Sequence, residues 1–282
     1  MKKKKYKVKK IIKELSRNGF CVVNDVLSIK KCNSIKESLE KLLKKTQKNK
    51  FFFDEGSERG QLIIRDLPLR DPKNYLDLID NKLIIDILDN IFKETFILDG
   101  CVASKSINVK ENFKSLVHID SHLASKDFNN TSDIVVCFCF DEFTKENGAT
   151  KVWPKSHLSG TRIQKSKEYD KKIKNNFKYA EAKKGSAIIF LGHTWHQIGK
   201  NSNSLSRWGC LNQYKRWWIK PSTDLTKCGA KIFKMLNQRQ KELFGFTSIS
   251  PRFDFKKNTR TPKTLRKSKD LSLNYVKAIQ FR

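Results

Sequence analysis

The chain has 282 residues, 38% hydrophobic and 11% aromatic, with a net charge of +30. That is apolar matter enough for one large domain or two small ones, and it excludes a disordered chain. The basic excess is 47 Lys against 12 Arg, spread along the whole chain beside abundant Asn and Ile. Arg is the residue of bidentate phosphate and base contacts, so the charge reads as compositional bias and weighs against a nucleic-acid partner. Seven Cys with no CxxC argue against a disulfide framework or a zinc ribbon and for a reducing compartment. No apolar run has the length of a membrane span, and Ile11 and Ile12 are followed at once by Lys13 and Glu14, too short for a secretory signal. A cytoplasmic protein is expected.

In chain order, the spacing predicts a short helix over 9–18, closed by Asn18-Gly19, and an apolar strand over 20–23. Ser28 caps a periodic helix to about Lys45, with Ile29, Cys32, Ile35, Leu39 and Leu42 on one stripe. Residues 47–61 read as a polar loop, and helices follow near 73–79 and 82–93. After 94 the texture changes to short β-type runs at 95–98, 101–109, 114–119, 133–140, 150–153, 178–182, 186–191 and 204–214. Turn signals such as Asn147-Gly148, Lys184-Gly185 and 201–203 separate them. This pattern predicts an α+β protein with a mainly β core, a sandwich or jelly roll, supported by N-terminal helices and a C-terminal helix at about 226–243. Cys137 and Cys139 read as core thiols on one strand face. One domain is expected over 1–245, its β core at about 95–220, before a basic tail over 246–282. Within that tail, 251–269 carry eight basic residues against one acid, Asp254, and are expected to be mobile.

All five His fall between 118 and 196, inside the predicted β block. In His118-Ile119-Asp120, residues two apart on a strand share a face, so an imidazole and a carboxylate meet at one point. One further His completes a set of two His and one carboxylate. That set leaves three coordination positions open and suits iron(II). The run from Gly192 to Arg207 supplies His196 as the candidate third ligand, with His193 as the alternative. Arg207 lies eleven residues after His196, across an Asn- and Ser-rich turn that allows a hairpin back to the metal pocket. A guanidinium there would pair fork-to-fork with the far carboxylate of a dicarboxylate whose other end chelates iron. His122 shares the parity of His118 and Asp120, and reads equally as a pocket group or a turn partner. His157 follows Pro154-Lys155-Ser156 and reads as a stabiliser of that turn. The five Trp read as core and rim.

Over about residues 14–220 the chain resembles the phytanoyl-CoA dioxygenase family of iron(II)- and 2-oxoglutarate-dependent oxygenases. The resemblance is carried by ELSRNGFCVVNDVLS, by HID at 118–120, by NGATKVWPKSH at 147–157, by HxxxxNxSxxxR at 196–207 and by KRWWIKP at 215–221. It implies a double-stranded β-helix, iron(II) on His118, Asp120 and His196, and 2-oxoglutarate held by Arg207. It also implies O2 as the second co-substrate, with ascorbate as an accessory reductant. Related halogenases have a small residue where this chain has Asp120, so the resemblance favours a hydroxylase or another oxidation over a halogenase. Two positions depart from the family pattern. Lys155 stands where Gly is common, and Ile198 stands where Ser is common.

The expected activity is hydroxylation of an unactivated C–H of a small-molecule metabolite, an anionic one if the surface charge is a guide. Two rival readings remain at this point: a non-catalytic basic nucleic-acid-binding protein, and a cupin-type metalloenzyme that does not use 2-oxoglutarate. Oligomeric state leaves no mark in the sequence.

Overall fold

A computed structural model describes residues 2–47, 60–108, 113–121, 123, 125–160, 176–247, 253–254 and 259–260. His122 and most of the basic tail lie outside the described residues.

The strands after residue 94 are joined by two that precede them. The large sheet has the order β1 (Phe20–Val23), β7 (Ala187–Leu191), β4 (Asp133–Cys139), β9 (Arg207–Arg216), β3 (Phe96–Ser106) and β2 (Gln61–Ile64), antiparallel throughout. A small sheet of β6 (Lys178–Tyr179), β5 (Lys151–Val152) and β8 (His196–Gln197) faces it. A further ribbon pairs Phe253–Asp254 with Thr259–Arg260. Two antiparallel sheets closed over an interior, with helices behind the larger one, make the α+β jelly roll that the strand pattern predicts.

Period-two alternation sorts the large sheet into two buried faces. Trp208, Cys210 and Tyr214 of β9, with Ile134, Val136 and Phe138 of β4, enter the core shared with the helices. Val135, Cys137 and Cys139 of β4 with Ile188 and Phe190 of β7 enter a smaller core between the sheets. The two thiols therefore share a face, as their spacing predicts. Burial on both faces explains why the β4 run DIVVCFC is nearly continuous apolar sequence rather than alternating.

The helices α1 (Lys2–Asn18), α2 (Ile29–Gln47), α3 (Leu67–Arg70), α4 (Pro72–Ile79) and α5 (Lys82–Phe92) support the outer face, together with α6 (Gly229–Met235) and α7 (Gln238–Leu243). The Ser28 hydroxyl accepts from Lys31 N at 3.2 Å and caps α2. The stripe of α2 differs from expectation. Cys32, Ile35, Leu39 and Leu43 are buried, while Ile29 is 53% exposed. The i, i+4 series continues to Leu43, and Leu42 lies on its flank.

Other expectations are corrected. The two runs at 95–98 and 101–109 form one strand, β3, with a register shift between Leu98 and Gly100 that takes up Asp99. The run at 114–119 contributes only the isolated bridge of His118 with His196. The expected 226–243 helix is two, because Asn237 opens α7 with a capping box to Gln240. Most of the expected loop at 47–61 lies outside the described residues, and its last residue, Gln61, opens edge strand β2. Among the described residues no helix is long and apolar enough to cross a membrane.

Leu39 is fully buried between α2 and the large sheet's outer core. Leu39→Ala should lower stability by about 2–5 kcal/mol in denaturant unfolding, through lost burial and the cavity it leaves.

Candidate metal centre

His118 and His196 exchange both backbone hydrogen bonds: His118 N donates to His196 O at 2.9 Å, and His196 N to His118 O at 3.0 Å. The imidazoles lie side by side, ring centroids 4.2 Å apart. Each ring is turned by its own chain. His118 Nδ1 lies 3.0 Å from Leu116 O, and His196 Nδ1 lies 3.0 Å from Thr194 O. A carbonyl only accepts, so Nδ1 carries the proton in both rings and Nε2 keeps its lone pair. The Asp120 carboxylate oxygens lie 3.6 Å from each of the two Nε2 atoms. The three donor atoms fall within 4.8 Å of one another. Two neutral imidazole nitrogens and a carboxylate converging in this way fit a divalent transition metal.

Asp120 is placed by a second layer. Gly192 O, at the end of β7, accepts from Asp120 N at 2.8 Å and Ser121 N at 2.9 Å, while Gly192 N donates to Asp133 O. The Ser121 and Ser132 hydroxyls meet at 2.7 Å, and Ser132 Oγ donates to the Asp133 carboxylate at 2.8 Å. That carboxylate packs on Gly192, where a Cβ would collide with it. Burial raises the Asp133 pKa above the ordinary carboxylate range, opposed by its hydroxyl partners. None of these supporting residues carries a motif signature, so the sequence reading missed them.

Arg207 reaches the cavity from the opposite sheet. The hairpin expected after His196 does not form, because the chain crosses from β8 in the small sheet to β9 in the large one. Asn201 guides the crossing: its Nδ2 donates to Leu205 O at 3.1 Å. Arg207 is 5% exposed, its guanidinium 3.7 Å above the Phe143 ring. It donates from Nη2 to Gly148 O. Its Nε has no hydrogen-bond partner, and no carboxylate pairs with it among the described residues. Burial depresses its pKa, opposed by nearby Cys137, Cys139 and Asp141. A cavity of about 340 Å³ contains His118, Asp120, His196 and Arg207 in its wall.

A model of the phytanoyl-CoA dioxygenase family matches residues 15–209. The chain belongs to this family. An uncharacterized protein of Mycobacterium tuberculosis is 22% identical over 240 residues, which cover 82% of this chain and 84% of that protein. An uncharacterized protein of Saccharomyces cerevisiae is 22% identical over 275 residues, covering 88% of this chain and 76% of its own. HygX from Streptomyces hygroscopicus, solved with nickel and 2-oxoglutarate bound, superposes with a TM-score of 0.60 at 12% identity, over 75% of this chain and 88% of that one. The epimerase SnoN, solved with Fe3+, alpha ketoglutarate and nogalamycin RO, gives 0.58 at 14% identity over 75% and 84%. These likenesses establish a shared fold.

The departures from the family pattern acquire structural content. Lys155 has φ 66°, in the left-handed region where glycine is favoured. Ile198 lines the cavity and gives it an apolar wall where a serine would be polar. His193 is placed elsewhere than the donor cluster: it is 3% exposed, with both ring nitrogens unpartnered, and its ring centroid is 5.9 Å from that of His157. Burial, then the neighbouring His157, lowers its pKa to about 4. His157 Nε2 meets Ser16 O at 3.0 Å, so it ties its turn to the end of α1.

Two outcomes follow. Gly192→Ala should displace either Asp133 or the carbonyl that holds Asp120, and weaken manganese(II) binding in calorimetry by roughly 10- to 100-fold in a still folded protein. His193 binds a proton more readily unfolded than folded between its ordinary pKa of 6.5 and about 4. Its contribution to stability is therefore present above pH 6.5 and is lost as pH falls toward 4. A loss of about 3 kcal/mol over that window should be abolished in His193→Phe, measured by urea unfolding at both pH values.

Proposed function

We propose that the protein is an iron(II)- and 2-oxoglutarate-dependent dioxygenase that hydroxylates an unactivated C–H of a small-molecule metabolite. The observation that carries this reading is a buried, carboxylate-free Arg207 in the same cavity as three converging donors. His118, Asp120 and His196 would hold the iron. Bound iron would supply the chelation of a 2-keto acid and the activation of O2. Arg207 would receive the distal carboxylate of 2-oxoglutarate, its planar fork already stacked on Phe143 and steadied by Gly148 O. Phe190 packs its ring 4.8 Å from that of His196 and keeps one flank of the site dry.

HygX and SnoN, which share the fold, were solved with a metal and 2-oxoglutarate, and this supports the same pair of ligands here. SnoN is an epimerase, so the fold hosts more than one oxidation. Halogenation is disfavoured because Asp120 supplies a carboxylate as third donor and so leaves no place for a halide.

The test separates metal from co-substrate. His118→Ala and Asp120→Ala should each abolish tight iron(II) binding and the succinate formed from 2-oxoglutarate with iron(II), ascorbate and O2. Arg207→Met should leave iron affinity unchanged and weaken 2-oxoglutarate by about 100-fold, corresponding to about 3 kcal/mol for a desolvated charge pair. Wild-type 2-oxoglutarate affinity in Arg207→Met would exclude the co-substrate assignment.

A further inference from the structure

We propose that the substrate lies on the strip of cavity floor formed by Val102, Gly100 and Gln213 and ends against Asp66. We infer that it is a neutral or cationic molecule bearing hydroxyl or amine donors. This assignment rests on the metal and co-substrate reading above. It opposes the anionic substrate that a net charge of +30 would favour.

The floor is ordered by strand register. Along β3 and β9 the inward pairs are Ser106 with Arg207, Ser104 with Gly209, Val102 with Leu211, and Gly100 with Gln213. The Arg207 and Gln213 backbones are thus about 20 Å apart along the strand, and the Arg207 side chain shortens that gap by leaning over the Phe143 ring, which packs on Gly209. Phe190, which packs on His196, is in register with Val135, and Val135 with Gln213. The metal donors therefore stand toward the Gln213 end. A co-substrate reaching from Arg207 on β9 to the metal beside Phe190 on β7 lies over β9, β4 and β7 and leaves the β3 side of the floor, over Gly100, free. Gly100 has neither a positive φ nor a crowded neighbourhood, since a Cβ built there meets nothing within 4 Å. The space above it belongs to the cavity. Ser104, 5% exposed on the same face, has a hydroxyl with no partner.

The chemistry of the far wall sets the substrate class. Asp99 is satisfied: Lys215 Nζ lies at 3.0 Å, and Ser222 donates from N at 2.5 Å and from Oγ at 3.1 Å. Asp66 accepts from Thr223 Oγ1 at 3.0 Å and has no cation paired with it among the described residues. Arg65 at the rim is exposed, where solvent screens its charge. With Arg207 matched by a dicarboxylate and Asp120 by a metal, half-buried Asp66 is the carboxylate of the far wall left without a paired cation among the described residues. It favours amines and hydroxyls and repels phosphate or carboxylate.

Gly100→Cys places a thiol on that floor. Its reaction rate with a cationic trimethylammonium methanethiosulfonate and with an anionic sulfonate analogue is read by mass spectrometry, against the parent and against exposed Ser204→Cys. The protein carries manganese(II) and 2-oxoglutarate, whose binding is measured on the same sample by calorimetry. A failure of that binding rejects the co-substrate reading, while the labelling ratio, repeated without ligands, still reports on the floor. Relative to Ser204→Cys, the Gly100→Cys thiol should favour the cationic reagent by about 10-fold, and Asp66→Asn should remove most of that preference. An anionic preference equal to that at Ser204, a ratio unmoved by Asp66→Asn, or no labelling by either reagent would overturn the assignment.

Discussion

The site depends on one backbone pairing. By exchanging both hydrogen bonds, His118 and His196 become directly opposed residues, with Cα atoms about 5.5 Å apart and side chains on the same face. That fixes two imidazoles side by side before any ion arrives. Leu116 O and Thr194 O then select the tautomer that leaves both Nε2 atoms open. Asp120 joins them because Gly192, four residues before His196, anchors the chain just beyond His118. The three donors thus hang on two adjacent segments held edge to edge. Preorganisation of this kind spares the metal the work of ordering its ligands.

The molecule contains two deeply buried cations near its cavity, and they are treated differently. Lys215, 2% exposed, has the Asp99 carboxylate at 3.0 Å and forms a finished ion pair. Arg207, 5% exposed, has an aromatic ring, a carbonyl and an unpartnered Nε. Burying a charge without its counter-charge is expensive, so such a group is retained where a ligand completes it. That contrast within one protein supports the proposed role of Arg207 as a binding residue rather than a structural one. A dicarboxylate would supply what Asp99 supplies to Lys215.

Legibility followed the range of each interaction. His118 and Asp120 are two apart, so parity points to the pair, although the segment forms only the bridge at His118 and Asp120 is placed by Gly192 O. Arg207 was recognisable through its spacing from His196, yet the hairpin proposed for it was wrong, since local spacing carries no information about which sheet a strand joins. The jelly roll was legible because its strands are short apolar runs between turns. Strand β2 was not, because an edge strand at the end of a polar stretch has only Leu62, Ile63 and Ile64 to announce it. The Ser121, Ser132, Asp133 and Gly192 network was invisible for a different reason: it joins positions up to 71 apart through groups that are common everywhere in the sequence.

Surface and cavity answer to different constraints. The Lys-rich exterior is solvated, and its charge is tolerated wherever water screens it. The deep part of the cavity wall is desolvated, so an ionisable group there is matched, as Asp99 is, or is open to a match, as is proposed for Arg207. A net charge of +30 therefore predicts little about the occupant. The floor belongs to β3, β4, β7 and β9, whose outer faces are locked into the helical core, and it has little freedom to change. The end wall is built from the turn after β2 and from Ser222 and Thr223 after β9, outside the sheet. A change there alters what is recognised without moving the donors, which lets one catalytic floor serve different substrates.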